Sequence, residues 1–165
     1  MNTTIFTRKS SSGFGLIEFG ILIIILVVMI LLAIPLYRDF TIAQKVAASF
    51  PVTTDIEFLV SKNAVAGLNY DAGWTPPPAT AEIDSININR ENGEITVNFA
   101  QEAGNGSLVL VPLLNGNVLS GGTDTSSSAI GEAVLTWNCN SAAAAESQLG
   151  SHGTLAGKYA LIVCH

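Results

Sequence analysis

The chain has 165 residues, of which 48% are hydrophobic and only 12% are charged, and its formal net charge is −6. Soluble domains usually carry about 25% charged residues, so the composition argues against an ordinary cytosolic domain. It also argues against intrinsic disorder, because so apolar a chain can bury enough surface to offset the entropy lost on folding.

The hydrophobicity is concentrated near the N-terminus. From Phe19 to Tyr37 the chain runs for 19 residues without a charge, and no second run of this kind follows. As a helix, this run would span roughly 28 Å, which is about the thickness of the hydrocarbon core of a bilayer. It is apolar all round, whereas a helix that packs on a soluble core keeps a polar face. The run therefore predicts a single membrane-spanning helix.

A cleaved secretory signal peptide is the alternative for such a segment. The apolar region of a signal peptide is typically about 7–15 residues long and ends in small residues. Here the run is longer, and it is followed by Arg38 and Asp39 rather than by small residues. The sequence therefore favours a helix that is retained.

Two features predict the orientation of this helix. Arg8 and Lys9 precede it, and positive charge before a span favours a cytoplasmic N-terminus. Cys139 and Cys164 both lie beyond it, and a pair of cysteines that faces an oxidising compartment is expected to form a disulfide. Both features indicate that the region beyond the span lies outside the cytoplasm.

Glu18 is the charged residue at the start of the apolar run. A carboxylate inside a bilayer is costly and is a functional candidate by default, although Glu18 could also simply mark the membrane edge. Residues 8–19 read RKSSSGFGLIEF. This segment resembles the type IV pilin family, which has a short basic leader, a glycine, a phenylalanine and a glutamate five residues after the cleavage point. Residues 35–44 also resemble that family's helix where it leaves the membrane.

The resemblance implies a processing reaction and an assembly contact. A prepilin peptidase in the inner membrane would remove the leader, residues 1–13, by cutting between Gly13 and Phe14, and would methylate the new N-terminus at Phe14. Glu18 of one subunit would then pair with the Phe14 amine of its neighbour. This pair would fix the register of assembly, because leaving either charge buried and unpaired is costly.

The sequence departs from the family at positions other than the cleavage point. Gly15 stands where the family usually has threonine, and Val27 and Val28 stand where it often has a glycine in mid-span. Pro35 then remains as the position that opens the helical hydrogen bonding during assembly.

The helix is predicted to continue beyond the membrane, over residues 14–62 in all, with 14–37 as its membrane and assembly part. Intervals of three and four residues place one set of side chains on a single face. This face comprises Leu36, Phe40, Ala43, Ala47 and Phe50. One end of the helix is expected to pack on the head and the other on neighbouring subunits. Pro51 is expected to kink the helix rather than end it.

The remainder, residues 63–165, is predicted to form a globular head. A loop is expected over 63–80, and four strands are expected at 86–89, 95–99, 108–114 and 134–139, the first two joined through Asn92-Gly93 as a hairpin. The Gly/Ser/Thr-rich segment 121–128 reads as an exposed linker, with glycan attachment as the alternative. The predicted fold is α+β, a long N-terminal helix packed on a roughly four-stranded antiparallel sheet.

The cysteines would close the C-terminal segment, residues 139–164, into a loop. Such a cross-link stabilises a fold by roughly 3–4 kcal/mol on chain-entropy grounds. The resemblance implies that this loop forms exposed surface used in subunit contacts and in adhesion.

Residues for catalysis are not apparent. The two histidines, His152 and His165, lack metal-ligand spacing with the cysteines, and no phosphate loop or nucleophile elbow occurs. Trp74 and Trp137 are expected in or beside the core. We therefore expect no enzyme, cofactor or metal site. The lack of a basic patch argues against non-specific nucleic-acid binding, although a few loop lysines in a polymer could still bind nucleic acid through multivalency.

The resemblance predicts a structural subunit of a type IV pilus, used for adhesion, motility or DNA uptake. Its expected partners are other subunits, the prepilin peptidase, the assembly platform in the bacterial inner membrane and a host or surface receptor. The precursor would cross the inner membrane once, with a cytoplasmic N-terminus, and then enter an extracellular filament. The alternatives are a pseudopilin of a type II secretion system and a membrane-anchored binding domain that never polymerises.

Overall fold

The computed structural model describes residues 15–165. The predicted cleavage and methylation positions, Gly13 and Phe14, lie outside the described residues. The chain divides into two compact units, with the boundary after Tyr37.

The predicted long N-terminal helix is confirmed. Helix α1 runs over Leu16–Ala66 and continues through both Pro35 and Pro51. It ends at Gly67, which has a φ of 68°. The Gly67 N–H donates to Ala64 O at 3.4 Å and the Leu68 N–H donates to Asn63 O at 3.0 Å, a pattern that satisfies the last helical carbonyls. The predicted loop therefore begins after Ala66 rather than at Asn63.

The face that α1 buries overlaps the predicted one only in part, since Phe50 packs partly buried against the main core. Leu36 and Phe40 are 71% and 62% exposed. The buried positions are Val46, Ser49, Thr53, Ile56, Val60, Asn63 and Ala64. The pattern was misleading because this stripe contains two hydroxyl residues, which read as polar. Each hydroxyl bonds back to its own helix, Ser49 Oγ to Lys45 O at 2.9 Å and Thr53 Oγ1 to Phe50 O at 2.7 Å.

The sheet is antiparallel and has five strands, one more than predicted. They are β1 (Ile83–Ile88), β2 (Ile95–Phe99), β3 (Ser107–Leu114), β4 (Asn117–Val118) and β5 (Thr136–Asn140). The additional strand is β4, which has only two residues. Asn115-Gly116 lies directly before β4 and is the same kind of hairpin signal as Asn92-Gly93 between β1 and β2.

Strand β3 is the centre of the sheet. Leu110 pairs with β2 through Ile95 and with β5 through Cys139, so these two strands lie on opposite edges of β3. Pro112 lies past the pair of Leu110 with Ile95, where β2 begins, and its carbonyl accepts the Leu119 N–H at 2.9 Å. A strand residue directs its nitrogen and oxygen to the same edge, so the missing N–H of Pro112 falls at a position of that edge where β2 has no residue to pair with it.

Both faces of β3 are buried, which accounts for its nearly continuous apolar sequence. One face joins α1 in the main core, whose largest fully buried side chains include Ile56, Val60, Tyr70, Ile86, Ile95, Val97, Leu108, Leu119 and Leu155. The other face carries Val109, Val111 and Leu113. Gly150 packs directly on Val111 there. The buried Glu94 carboxylate accepts the Ser151 N–H at 2.9 Å beside it.

The Gly/Ser/Thr-rich segment 121–128 is exposed, as predicted for a linker, but its backbone is held to the rest of the fold. The Ser127 N–H donates to Gly67 O at 3.1 Å, and the Ile130 N–H donates to Ala64 O at 3.1 Å. Its side chains are largely exposed, but its backbone is fixed to the C-terminal end of α1. A high content of glycine and serine indicates a flexible chain, but it does not predict which backbone groups elsewhere in the fold will form hydrogen bonds with the segment.

Candidate functional site

The N-terminal part of α1 is a candidate site because its large apolar side chains have no cover within their own unit. From Leu16 to Tyr37 these side chains are 44–91% exposed. Burial of one such side chain is favourable by roughly 1.5–3 kcal/mol, so the segment requires an apolar environment. It is long and apolar enough to cross a membrane.

Glu18 is the one charged residue between Leu16 and Tyr37. Its Oε2 accepts the Gly15 N–H at 2.8 Å. This contact satisfies one of the free N–H groups of the first helical turn, where the helix dipole also favours a carboxylate. Sequence reasoning missed this role, although the three-residue spacing between Gly15 and Glu18 is that of a capping box.

The other predicted assembly features are Pro35 and the contact of Glu18 with the Phe14 amine. Pro35 lies within a continuous helix, where its missing N–H leaves the Leu31 carbonyl without its usual partner. The predicted contact between Glu18 and the Phe14 amine involves a second copy and a residue outside the described range. That contact stays a prediction.

The predicted disulfide between Cys139 and Cys164 is confirmed. The loop that it closes is anchored in the sheet at the buried Leu155. The Leu155 N–H donates to Ser107 O at 2.9 Å, and Leu155 O accepts the Ala142 N–H at 3.0 Å. The same loop exposes an apolar pair, since Ile162 and Val163 are 89% and 67% exposed. The loop therefore has one side fixed in the sheet and another that faces outward.

A polar cluster ties this loop to α1. Asp39 Oδ1 accepts the Tyr159 hydroxyl at 2.9 Å, and Lys158 Nζ donates to both Asp39 carboxylate oxygens at 2.9 and 3.0 Å. The hydrogen bonds from Lys158 first, and then from Tyr159, hold the pKa of Asp39 below its ordinary value of 3.8. The Tyr159 side chain and then Asp39 raise the pKa of Lys158. These residues lie 119 and 120 positions apart, so no local pattern could have predicted the cluster.

An open apolar groove of about 360 Å³ lies between α1 and the segment before β5. It is lined by Phe58, Ser61, Lys62, Val65, Ile130, Ala133, Val134 and Leu135. Both tryptophans, Trp74 and Trp137, pack partly buried against the main core. Neither tryptophan is among the residues that line the groove.

Within residues 15–165 no three His, Cys, Asp or Glu side chains converge as metal ligands. His165 Nε2 lies 3.0 Å from Gly157 O, and His152 is exposed. Three described surfaces expose apolar side chains and are candidate contact surfaces. They are the N-terminal part of α1 with Glu18, the outer side of the disulfide loop and the apolar groove.

Sequence and structure comparisons add no relative from which a function can be transferred. Protein-family models, curated proteins and solved structures give no match to this chain.

Proposed function

We propose that this chain is the subunit of a type IV pilus. Its precursor is cut between Gly13 and Phe14, is N-methylated at Phe14, and polymerises through the N-terminal part of α1. The observation that carries the proposal is the surface of Leu16–Tyr37, which is apolar on every side and interrupted by one carboxylate, Glu18, in the first helical turn.

The exposed apolar surface supports a role in which two environments cover the same segment in turn. Lipid covers it in the precursor, and the corresponding helices of other copies cover it in the filament. Both environments exclude water from side chains that are at least 44% exposed in the isolated chain. Glu18 is the one charged residue of this segment, and a carboxylate in an apolar environment is costly without a partner.

Glu18 supports the proposal because a charge in a helix bundle requires a partner. Cleavage after Gly13 creates a cationic amine at Phe14, four residues before Glu18. In the filament, the Glu18 carboxylate of one subunit and the Phe14 amine of the next neutralise each other. An unpaired ion in such a core costs several kcal/mol, so the pair selects one register.

The proposal implies the partners and location of the chain. The precursor lies in the bacterial inner membrane with its N-terminus in the cytoplasm, where it meets the prepilin peptidase and the assembly platform. The filament is extracellular, and it serves adhesion, motility or DNA uptake through contacts with a host or surface receptor. The exposed Ile162 and Val163 of the disulfide loop are available for such contacts.

Two other functions share part of this support. A pseudopilin of a type II secretion system would use the same N-terminal segment, and the disulfide loop favours the pilus subunit over it. A membrane-anchored binding domain would use the apolar helix as an anchor only, and the groove beside Phe58 would then be its binding surface. This last alternative predicts an uncut N-terminus and no dependence on Glu18.

The first test is the N-terminal sequence of protein sheared from cells, determined by mass spectrometry. We expect filaments whose subunits begin at N-methylated Phe14. Intact precursor beginning at Met1, retained as a membrane monomer, would refute the proposal.

The second test separates the charge of Glu18 from its helix-capping contact. Glu18→Gln keeps an oxygen that can accept the Gly15 N–H but removes the charge, whereas Glu18→Ala removes both. We expect both variants to be cleaved and neither to enter filaments. Asp39→Asn, the same change of carboxylate to amide in the head, is the matched control and should assemble. Assembly of Glu18→Gln at the normal level would mean that capping, and not charge pairing, is what Glu18 contributes.

A further inference from the structure

Three asparagine–glycine pairs occur in the chain, at 92–93, 105–106 and 115–116. Such pairs are chemically labile because glycine offers no side chain to block attack by its own nitrogen on the preceding carboxamide. The reaction requires a free carboxamide, a free glycine N–H and enough local opening to bring the two together. The structure places the three pairs in different environments by these criteria.

The pair at 92–93 is held closed. The Gly93 N–H donates to Asn89 O at 2.9 Å, and Asn92 Oδ1 accepts the Glu94 N–H at 3.1 Å. Gly93 also packs close to Val60 of α1. Both reacting groups are therefore engaged in hydrogen bonds, and these bonds within the packed β1–β2 turn must break before the two groups can react.

The pair at 105–106 is held by the backbone on each side. The Asn105 N–H donates to Ala100 O at 3.2 Å, and Gly106 O accepts the Phe99 N–H at 2.8 Å. Gly106 also lies so close beneath Leu155 that no Cβ would fit. The Asn105 side chain is exposed, but the peptide that must move is packed.

The pair at 115–116 forms the tip of the β3–β4 hairpin. Asn115 and Gly116 have φ values of 52° and 79°, as a type I′ turn requires. Both are exposed, and nothing lies within 4 Å of the position of a Gly116 Cβ. Within residues 15–165 neither the Asn115 carboxamide nor the Gly116 N–H forms a hydrogen bond.

Opening of this tip disturbs little of the fold. Strand β4 pairs with β3 at two positions, Leu113 with Val118 and Leu114 with Asn117. Local opening costs least where few hydrogen bonds and few buried side chains are lost. The tip of this hairpin therefore reaches reactive conformations more often than the other two pairs do.

We propose that Asn115 is a site of spontaneous deamidation and that Asn92 and Asn105 are protected from it by the fold. The Gly116 backbone nitrogen, after losing its proton to hydroxide, attacks the Asn115 side-chain carbonyl carbon and forms a five-membered succinimide ring. The bond from that carbon to the amide nitrogen breaks, and the nitrogen takes up a proton from water and leaves as ammonia, which regenerates the hydroxide. Water then opens the ring at either carbonyl, which gives aspartate or isoaspartate.

The products change the hairpin in two ways. Each conversion adds one negative charge to a chain whose net charge is already −6. Isoaspartate also adds a backbone carbon to the turn, and a two-residue turn fixes the register of its strands. Modification at Asn115 therefore weakens the pairing of β4 with β3 while the rest of the sheet keeps its contacts.

The test is incubation of the full-length folded protein in detergent at mildly alkaline pH, followed by peptide mapping with mass spectrometry. We expect conversion at Asn115 at least about tenfold faster than at Asn92, with Asn105 between them, because each protected site reacts only through a less populated opening. The matched control is the same chain unfolded in urea with its disulfide reduced, where the three rates should converge.

A variant assigns the product to this position. Asn115→Gly removes the carboxamide but keeps a residue that accepts a positive φ, and it should abolish the first acidic species in isoelectric focusing. The inference is overturned if Asn92 or Asn105 reacts as fast as Asn115 in the folded protein. It is equally overturned if Asn115→Gly leaves that first acidic species unchanged.

Discussion

Asn63 fixes the loop that follows α1, and its substitution is expected to destabilise the head. It lies at the C-terminal end of α1 and is 4% exposed. Its Nδ2 donates to Tyr70 O at 3.1 Å and to Ala72 O at 2.9 Å, so that one side chain holds the loop after the helix. We compare the changes Asn63→Ala and Asn63→Asp.

Asn63→Ala should destabilise the head by about 2–4 kcal/mol, because two hydrogen bonds of about 1 kcal/mol each are lost and two carbonyls are left with reduced hydrogen bonding. Asn63→Asp has nearly the same shape but directs a carboxylate at two carbonyl oxygens. Burial of this charge without a partner should make it the more damaging variant at neutral pH. Burial also raises the pKa of an introduced carboxyl group. The extra damage should therefore be present above that raised pKa and should disappear below it, where the protonated group can donate one hydrogen bond.

The assay is urea unfolding of the full chain in detergent, followed by the fluorescence of Trp74 and Trp137. Asn87→Asp, the same substitution at an exposed position of β1, is the control and should change the free energy of unfolding little. The reasoning would be refuted if Asn63→Asp were no less stable than Asn63→Ala at neutral pH. A constant difference between the two variants from neutral to acid pH would refute it as well.

Three further predictions concern other contacts. Replacing both disulfide cysteines by alanine should lower the free energy of unfolding in urea by about 3.5 kcal/mol for this loop length, and an unchanged midpoint would contradict this. Because the pKa of Asp39 is lowered in the folded chain, its contacts should stabilise the head above pH 3.8 and be lost as the pH falls through the lowered pKa. The stability difference between the wild type and Asp39→Asn should thus vanish in acid, and a difference that persists there would show that the Lys158 contact is not its source. Gly153→Ala should lower the free energy of unfolding by about 3 kcal/mol, because the added Cβ would overlap Ser107 O. Gly73 lies in open space but at positive φ, so Gly73→Ala should lower it by only about 1–2 kcal/mol. Equal shifts of the thermal unfolding midpoint in the two variants would contradict the steric argument.

Sequence reasoning succeeded where local patterns determine structure. The uncharged run after Glu18, the alternation in 95–99 and the cysteine pair predicted a long apolar helix, a strand and a disulfide, all of which the structure contains. These features depend on hydropathy and spacing within short stretches of chain. They are therefore visible before any tertiary contact is known.

The failures involve groups whose partners are distant in sequence or whose side chains bond to their own backbone. Ser49 and Thr53 are buried because helix carbonyls satisfy their hydroxyls, so a hydropathy pattern excludes them from the core. The contacts of Asp39 with the disulfide loop depend on the tertiary fold. The candidate assembly site is intermediate, since Glu18 could be singled out from its neighbours but its contact with Gly15 could not.

Leu155 and the disulfide together hold both ends of the disulfide loop in place if a protease cuts it. Residues 145–147 are exposed, and a cut there would create two new chain ends. One end stays joined to β5 through the peptide chain, and the other is held by the Leu155 backbone bonds and by Cys164. A nicked head would keep its fold, and its two fragments would separate on a denaturing gel only after reduction. A single cut in this loop would therefore release no part of the chain as long as the disulfide stays oxidised.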